Sequence, residues 1–296
     1  MDLISIRRKY KNIRNIIITI FLIIVLLVVI IGIKEIYINS KYDKIFKSYS
    51  EQYDIALSKQ SEMIAQAQIE KRKEKNPQLT EEGKNNMASL YHSENKRVFL
   101  TFDDGPSETV TIPILETLKN EGIKATFFVL GSRVELYPEL VKKEYDEGHY
   151  IASHGYSHEY SKIYASPQSV LEEYNKTLTA IQNALGDQTY NPHLFRFPGG
   201  YTGGKYAEIK KEAAELLKQN NITYVDWNSL TSDAAGAKTT EQFLSEIDKT
   251  VGKKNSIVLL MHDAGNKKAT AEALPQIISY FKERGFEFDN FYSIIK

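Results

Sequence analysis

The chain has 296 residues, 42% of them hydrophobic and 26% charged, which is too apolar for a disordered protein and suits one large domain with extras or two small ones. Its 38 basic and 38 acidic residues cancel, which disfavours a nucleic-acid binder, for which a basic excess is expected. Cysteine is absent, so disulfides, thiolate metal sites, iron–sulfur clusters and a cysteine nucleophile are excluded, and any metal must be held by Asp, Glu or the six His.

The first element is the apolar run 16–33, IIITIFLIIVLLVVIIGI, whose only polar side chain is Thr19. At 1.5 Å per residue it spans about 27 Å, close to a bilayer core. Arg7, Arg8, Lys9, Lys11 and Arg14 precede it, and mixed charges follow from Lys34. The basic excess predicts a cytoplasmic N-terminus over 1–15 and a single-pass signal anchor over 16–33, with the rest of the chain outside the cell membrane. A cleaved signal peptide would have a shorter apolar core and a small-residue cleavage site, and Lys34-Glu35-Ile36-Tyr37 follows instead. The region 34–90 reads as stalk and linker. Residues 36–76 are polar, without internal Gly or Pro, and predict a helical stalk ending near Asn76-Pro77. Ile45, Tyr49, Tyr53, Ile55, Leu57, Met63 and Ile64 have partial helical spacing but sustain no heptad. The segment 78–95 reads as a linker.

Of 16 Gly and 8 Pro, only Gly32, Pro77 and Gly83 precede residue 91, so tight turns concentrate in the last two-thirds, as a compact domain over 91–296 requires. There, strand-like runs are expected at 98–102, 125–130, 150–153, 194–197, 222–227, 257–261 and 286–291. Helical patterns alternate with them at 110–120, 138–147, 168–185, 206–220, 240–251 and 270–284. Repeated strand–helix order implies parallel strands with helical crossovers. About seven such units predict an α/β fold, a (β/α) barrel that is incomplete or distorted, with a doubly wound sheet as the alternative. Either form places its chemistry at the C-terminal strand ends.

Ionisable residues fall at those ends. Asp103 and Asp104 follow the first strand, and Gly105-Pro106 breaks it, so both carboxylates can turn towards one place. His154 and His158 follow the third strand, and their spacing lets both imidazoles reach one ion. Two His and one carboxylate leave positions open for water and substrate, as in a catalytic metal site. Arg196 lies in the fourth strand, Asp226 closes the fifth, and His262 and Asp263 follow the sixth. His92, His149 and His193 lack such partners and read as surface or structural. The nucleotide-binding signatures G-x-x-x-x-G-K-[ST] and G-x-G-x-x-G and the G-x-S-x-G elbow are absent, so nucleotide and serine-esterase chemistry lack support.

Taken in order, Thr101-Phe102-Asp103-Asp104-Gly105, His154-x-x-x-His158, Arg196-Phe197-Pro198-Gly199, Asp226-Trp227 and Leu260-Met261-His262 resemble the motifs of the polysaccharide deacetylase family, the NodB-homology domain of carbohydrate esterase family 4. The resemblance covers 91–296. It implies a distorted (β/α) barrel that removes acetyl groups from N-acetylated sugars. It also implies a divalent metal, zinc, on Asp104, His154 and His158, with Asp103 as base, Arg196 orienting it and His262 as acid. The chain departs from the family pattern in two places. Gly199 stands where the third motif often has Tyr; its N–H still suits the oxyanion, and Tyr201 is a candidate for the missing side-chain contact to substrate. In the fourth motif Leu230 takes the first acidic place and Asp233 the second, so Asp233 joins the catalytic set, while its choice over Asp226 stays open. The partners implied are an acetylated glycan, peptidoglycan N-acetylglucosamine in first place, and the membrane. The alternatives are an O-acetyl esterase on another polysaccharide and a non-catalytic glycan-binding module.

Overall fold

The computed structural model describes the backbone of residues 3–73 and 76–295; side chains 3–14, 16–17, 65–66 and 68–73 lie outside the described ones, and the basic flank Arg7–Arg14 is among them. Two compact units divide the chain, 1–70 and 71–296.

The described residues of the first unit all belong to one helix, α1 (Leu3–Lys73), so the expected span and stalk form a single uninterrupted element. Among the described residues it is the one helix long and apolar enough to cross a membrane, and none of its apolar run is buried.

The second unit is built on a parallel sheet. Its strands are β1 (Arg97–Asp103), β2 (Thr126–Val129), β3 (Tyr150–Ser153), β4 (Leu194–Phe195), β5 (Thr223–Tyr224), β6 (Ser229–Leu230), β7 (Ser256–His262) and β8 (Glu287–Asp289). The order across the sheet is β5-β4-β3-β2-β1-β7-β6, with β8 paired to β1 off this path. On one side of β1, residues 97–99 pair with β8 and 101–103 pair with β2; on the other, β7 runs its full length.

Of the expected strand 222–227 only residues 223–224 form a strand, β5, and β6 lies beyond the expected run. Strand β5 stops after Tyr224, and four residues later the chain re-enters as β6 at the opposite end of the sheet. Five Cα–Cα steps reach at most about 18 Å, so the two sheet ends must lie that close. The sheet is therefore curled nearly into a barrel without a closing ladder, which is the distorted barrel the sequence predicts. Just before β6, Asn228 ties the chain to β7 through both backbone and side chain: its N–H donates to Val258 O (3.2 Å), and its side chain receives the Val258 N–H (2.8 Å) and donates to Ser256 O (2.8 Å).

Alternation along the strands divides the core. Val98, Leu100 and Phe102 face outward and pack with Phe127, Leu259, Ile114 and Ile277, from neighbouring strands and outer helices. Phe99 faces inward with Phe128, Tyr150, Leu194 and Val258. By the same period Thr101 and Asp103 point into the barrel. The outer helices carry clear end signals. Helix α7 (Pro167–Leu185) begins with Ser166 accepting from Ser169 N–H and Pro167 at its first turn, and ends at Gly186 with φ 64°. Helix α9 (Thr240–Val251) opens with a capping box between Thr239 and Gln242.

The segment expected as a linker over 78–95 contains helix α2 (Glu81–Ala88) and plugs the barrel floor. Leu79 and Leu90 are buried in the inner cluster beside Phe291, Ile294 and Ile295. The Leu90 carbonyl accepts from Ser256 Oγ (2.5 Å) and Arg97 Nη2 (3.0 Å), which fastens it to the starts of β7 and β1. A chain beginning at residue 91 exposes that floor. It should be less stable than one beginning at residue 76 by at least ~2 kcal/mol, the low end for losing a buried leucine. Equal urea midpoints and slopes for the two would show that α2 contributes nothing.

Candidate active site

Each candidate side chain lies at or shortly after a strand end and is fixed there by a local device. Asp103 is the last residue of β1 and faces inward. Asp104, next in an ideal strand, would face outward. Instead its backbone takes φ 74°, in the left-handed region that L-residues with a Cβ seldom enter, and this brings its carboxylate round to the same side. Gly105 has a steric reason to be glycine: a Cβ there would lie 2.0 Å from Asp263 Oδ2. Asp263 cannot retreat, because it is buried and accepts a 2.6 Å hydrogen bond from Thr111 Oγ1. Burial, opposed in part by the Thr111 bond, raises the Asp263 pKa to about 7.

His154 and His158 flank a tight loop, one of the two local forms their spacing allows. His158 has φ 56° and Gly155 φ 84°. Glu173, from α7, holds this loop: its Oε2 accepts from Tyr156 N–H (2.6 Å) and Ser157 N–H (2.7 Å), and its Oε1 from Ser157 Oγ (2.8 Å). His154 Nδ1 lies 2.9 Å from the Arg196 carbonyl, which can only accept. Nδ1 therefore carries the proton and Nε2 keeps its lone pair. Burial drives the His154 pKa down to about 3, so the ring is neutral near neutral pH.

Three candidate ligand atoms converge. Asp104 Oδ1 is 3.5 Å from His154 Nε2 and 3.4 Å from His158 Nε2, and all three atoms lie within 4.8 Å of one another. Asp104 Oδ1 is buried and makes no hydrogen bond. A buried carboxylate oxygen without a donor is costly, and a cation between it and two imidazoles would relieve that cost. The N₂O donor set fits a divalent ion with open coordination positions.

Asp103 lies beside this cluster, with Oδ2 3.7 Å from His154 Nε2. Its other oxygen accepts from Arg196 Nη1 at 2.8 Å. Arg196 is fully buried and also donates to Thr101 Oγ1 (2.7 Å), Val225 O (3.2 Å) and Asp226 O (3.2 Å), with its Cζ 3.9 Å from the Phe128 ring centre. Burial raises the Asp103 pKa, and the charges of Arg196 and His262 only partly oppose it.

Asp226 and Asp233 differ in their contacts. Asp233 Oδ1 lies 2.8 Å from His262 Nδ1, and its Oδ2 accepts from His262 N–H (2.9 Å) and Thr270 Oγ1 (2.8 Å). The Asp226 carboxylate instead accepts from Tyr201 N–H at 3.0 Å, and only its backbone carbonyl meets Arg196. Arg196–Asp103 and His262–Asp233 are therefore two hydrogen-bonded pairs and not one chain of contacts.

Gly199 has φ 75°, and its N–H donates to no group among the described residues. A Cβ at Gly199 would sit 2.6 Å from Tyr160 Oη, so a side chain from the start of the short helix Tyr160–Ile163 fills the space that a third-motif tyrosine would leave by. Tyr201 packs its ring on Tyr224 (4.5 Å between centroids) and Phe197 (5.6 Å). Sequence reasoning missed Tyr160 and Glu173; the position of Tyr160 two residues after His158 was the one available signal. Of the other histidines, His149 is buried, accepts from Ala125 N–H at 3.0 Å and is held neutral by burial, while His92 is exposed.

Residues 91–225 match the family model described as polysaccharide deacetylase. The chain is 38% identical over 199 residues to the peptidoglycan-N-acetylglucosamine deacetylase PgdA of Listeria monocytogenes, an alignment covering 66% of this chain and 38% of that protein. The chain thus spans well under half the length of that relative. It is 34% identical over 204 residues to a peptidoglycan-N-acetylglucosamine deacetylase of Bacillus cereus, covering 67% of this chain and 70% of that one. Among solved structures, a CE4 esterase from Streptococcus mutans superposes with a TM-score of 0.64 at 31% identity, over 70% of this chain and 90% of the other.

The His262–Asp233 pair gives a direct test of the site's electrostatics. Burial opposes charging His262, but the Asp233 hydrogen bond and charge outweigh it, and the His262 pKa is raised. A raised histidine pKa stabilises the fold below the ordinary value near ~6.5, and that contribution is lost as pH rises through the folded value. Asp233→Asn removes the charge and leaves the burial. The His262 pKa should then fall below ~6.5 in an NMR titration of its imidazole. An unchanged titration would mean that Asp233 does not hold the proton there.

Proposed function

Because this chain belongs to the polysaccharide deacetylase family, we propose that it is a zinc-dependent N-deacetylase of peptidoglycan N-acetylglucosamine, anchored by α1 with residues 36–296 outside the cell membrane. One observation carries the catalytic part: the carboxylate of Asp103, oriented by Arg196, and the imidazole of His262, held by Asp233, accompany a three-ligand cluster whose Asp104 oxygen has no donor. The names of the relatives supply the sugar, and the long apolar helix supports the anchor.

Asp104, His154 and His158 would hold the metal. When bound, a divalent ion there supplies Lewis acidity, which lowers the pKa of water and polarises an acetyl carbonyl. The chain's own residues do the rest. Asp103 accepts the proton of the attacking water, and Arg196 keeps that carboxylate in one orientation. The unpartnered Gly199 N–H donates to the oxyanion of the tetrahedral intermediate, a contribution of about 3 kcal/mol for such a donor. His262, kept protonated by Asp233, gives its proton to the nitrogen as the C–N bond breaks, so a neutral amine departs and acetate remains.

The domain with its floor, residues 76–296, should release acetate from N-acetylglucosamine oligomers and should stop when metal is chelated. About one divalent ion per chain is expected by elemental analysis, and His154→Ala and His158→Ala should each lose it, because two protein ligands are too few. Full metal occupancy in both variants would overturn the ligand assignment. Acetate release only from O-acetylated xylan would replace amide with ester as the substrate.

Base and acid are separable by leaving group. Asp103→Asn should lower the rate on amide and aryl acetate alike, by at least ~10²-fold, because both need activated water. His262→Ala should damage amide cleavage much more than aryl-ester cleavage, since an aryl oxide leaves without a proton. Equal losses of His262→Ala on the two substrates would remove the acid role.

A further inference from the structure

Beyond the apolar run, α1 continues as a helix whose described side chains are exposed, and most of its apolar residues share one face, Ile45 and Met63 lying beside the central stripe and Ile55 opposite it. Tyr42, Phe46, Tyr49, Tyr53, Leu57 and Ile64 are each between 52% and 77% exposed. Their steps of 4, 3, 4, 4 and 7 residues repeat every eleven, with Gln60 at the one polar place in the series. At 100° per residue these six positions fall within an arc of roughly 80°, over about 33 Å of helix. An apolar stripe of that length left in water is unusual for a protein surface.

The charges bordering the stripe differ by side. Going round from its centre, the nearest charged residues on one side are Asp43 and Asp54, and on the other Lys41 and Lys59; Lys47 lies further round on the acidic side. In a parallel, two-fold pair of helices the opposite borders face each other across the seam, so the lysines of one copy meet the aspartates of the next. In an antiparallel pair each border would meet its own kind. The helix is unbroken from the apolar run through the stripe. Two copies anchored in one membrane would therefore present their stripes in parallel and at the same height.

We infer that the stripe from Tyr42 to Ile64 is a self-association surface, and that its occupant is the same stripe of a second copy of this chain, forming a parallel two-stranded coiled coil outside the membrane. An eleven-residue period, 3.67 residues per turn, makes this a nearly straight or slightly right-handed coil, which explains why no heptad describes it. The inference rests on the anchored topology proposed above.

The absence of cysteine makes the test clean. Single variants Phe46→Cys and Tyr53→Cys place a thiol on the stripe, and Glu51→Cys and Ser58→Cys place one on the far side. The full-length protein is oxidised in its own membranes, and disulfide dimers are read on non-reducing gels. A disulfide requires Cα atoms within ~7 Å, so stripe positions should cross-link at least about fivefold more than far-side positions. Adding Tyr49→Lys to the Phe46→Cys protein should reduce its dimer to the far-side level. Equal cross-linking at all four positions, a maximum on the far side, or no dimer from membrane-bound protein would overturn the proposal. Recovery of the protein in the soluble fraction would overturn the anchor reading and this proposal with it. Acetate release by the same preparations reports on the deacetylase reading separately.

Discussion

Arg196 carries a permanent positive charge into the centre of the barrel, and burial is tolerable only because its surroundings match it closely. It makes four hydrogen bonds, to side chains of Thr101 and Asp103 on β1 and to carbonyls of Val225 and Asp226 after β5. Phe128 on β2 covers its face. One side chain on the fourth-strand segment thus ties three other parts of the sheet together. Removing one partner of such a pair leaves an uncompensated buried charge, at a cost of ~3–5 kcal/mol. A lysine cannot replace it, since a single ammonium lacks the planar fork that reaches both sides. The Arg196 carbonyl also receives His154 Nδ1, so the same residue fixes the tautomer of a proposed ligand through its backbone and the orientation of a proposed base through its side chain.

The proposed site is made of carboxylates and imidazoles that would behave similarly in water and are driven apart by their settings. Burial raises the Asp103 pKa, while Asp233, also buried, is lowered because hydrogen bonds and charge from His262 and Thr270 outweigh burial. His154 is pushed down by burial, while His262 is pushed up by Asp233. One histidine then keeps a free lone pair and another keeps a proton at the same pH. Pairs of titratable groups separated in this way are what acid–base chemistry at neutral pH needs.

Much of this was legible before any coordinates. The strand ends were readable because Gly and Pro punctuate them sharply, as at Asp104-Gly105-Pro106. Five strands delivering ionisable residues to one end made the location plain. Other parts depend on contacts that no local pattern announces. Leu79 and Leu90 are two leucines in a polar stretch, and only the open barrel floor makes them core. Strands β5 and β6 have two residues each; the first lies inside the apolar run 222–227, and the second lies beyond it in a stretch too short to announce itself. Glu173 lies in the middle of a helix and reads as surface charge until the loop 155–158 is laid across it. The neighbours of Asp226 and Asp233 could not be assigned from spacing, because the turn after β6 decides which carboxylate meets His262.

The position of β1 has a consequence for how the domain is made. It is the first strand to be synthesised, yet among the described residues it is the only strand with three partners, and two of these, β7 and β8, are the last strands of the domain. Arg97, at its start, pairs with both Ser256 and Glu287. Vectorial synthesis yields early strands well before late ones, so β1 waits for nearly the whole domain before its ladder can close. Until then its apolar faces and unpaired backbone are open to other chains. Such long-range pairing also slows folding, because loop closure must precede the contacts that repay it. In the topology proposed above, this delay would suit passage across the membrane as an unfolded thread, with the central strand completed only on the far side.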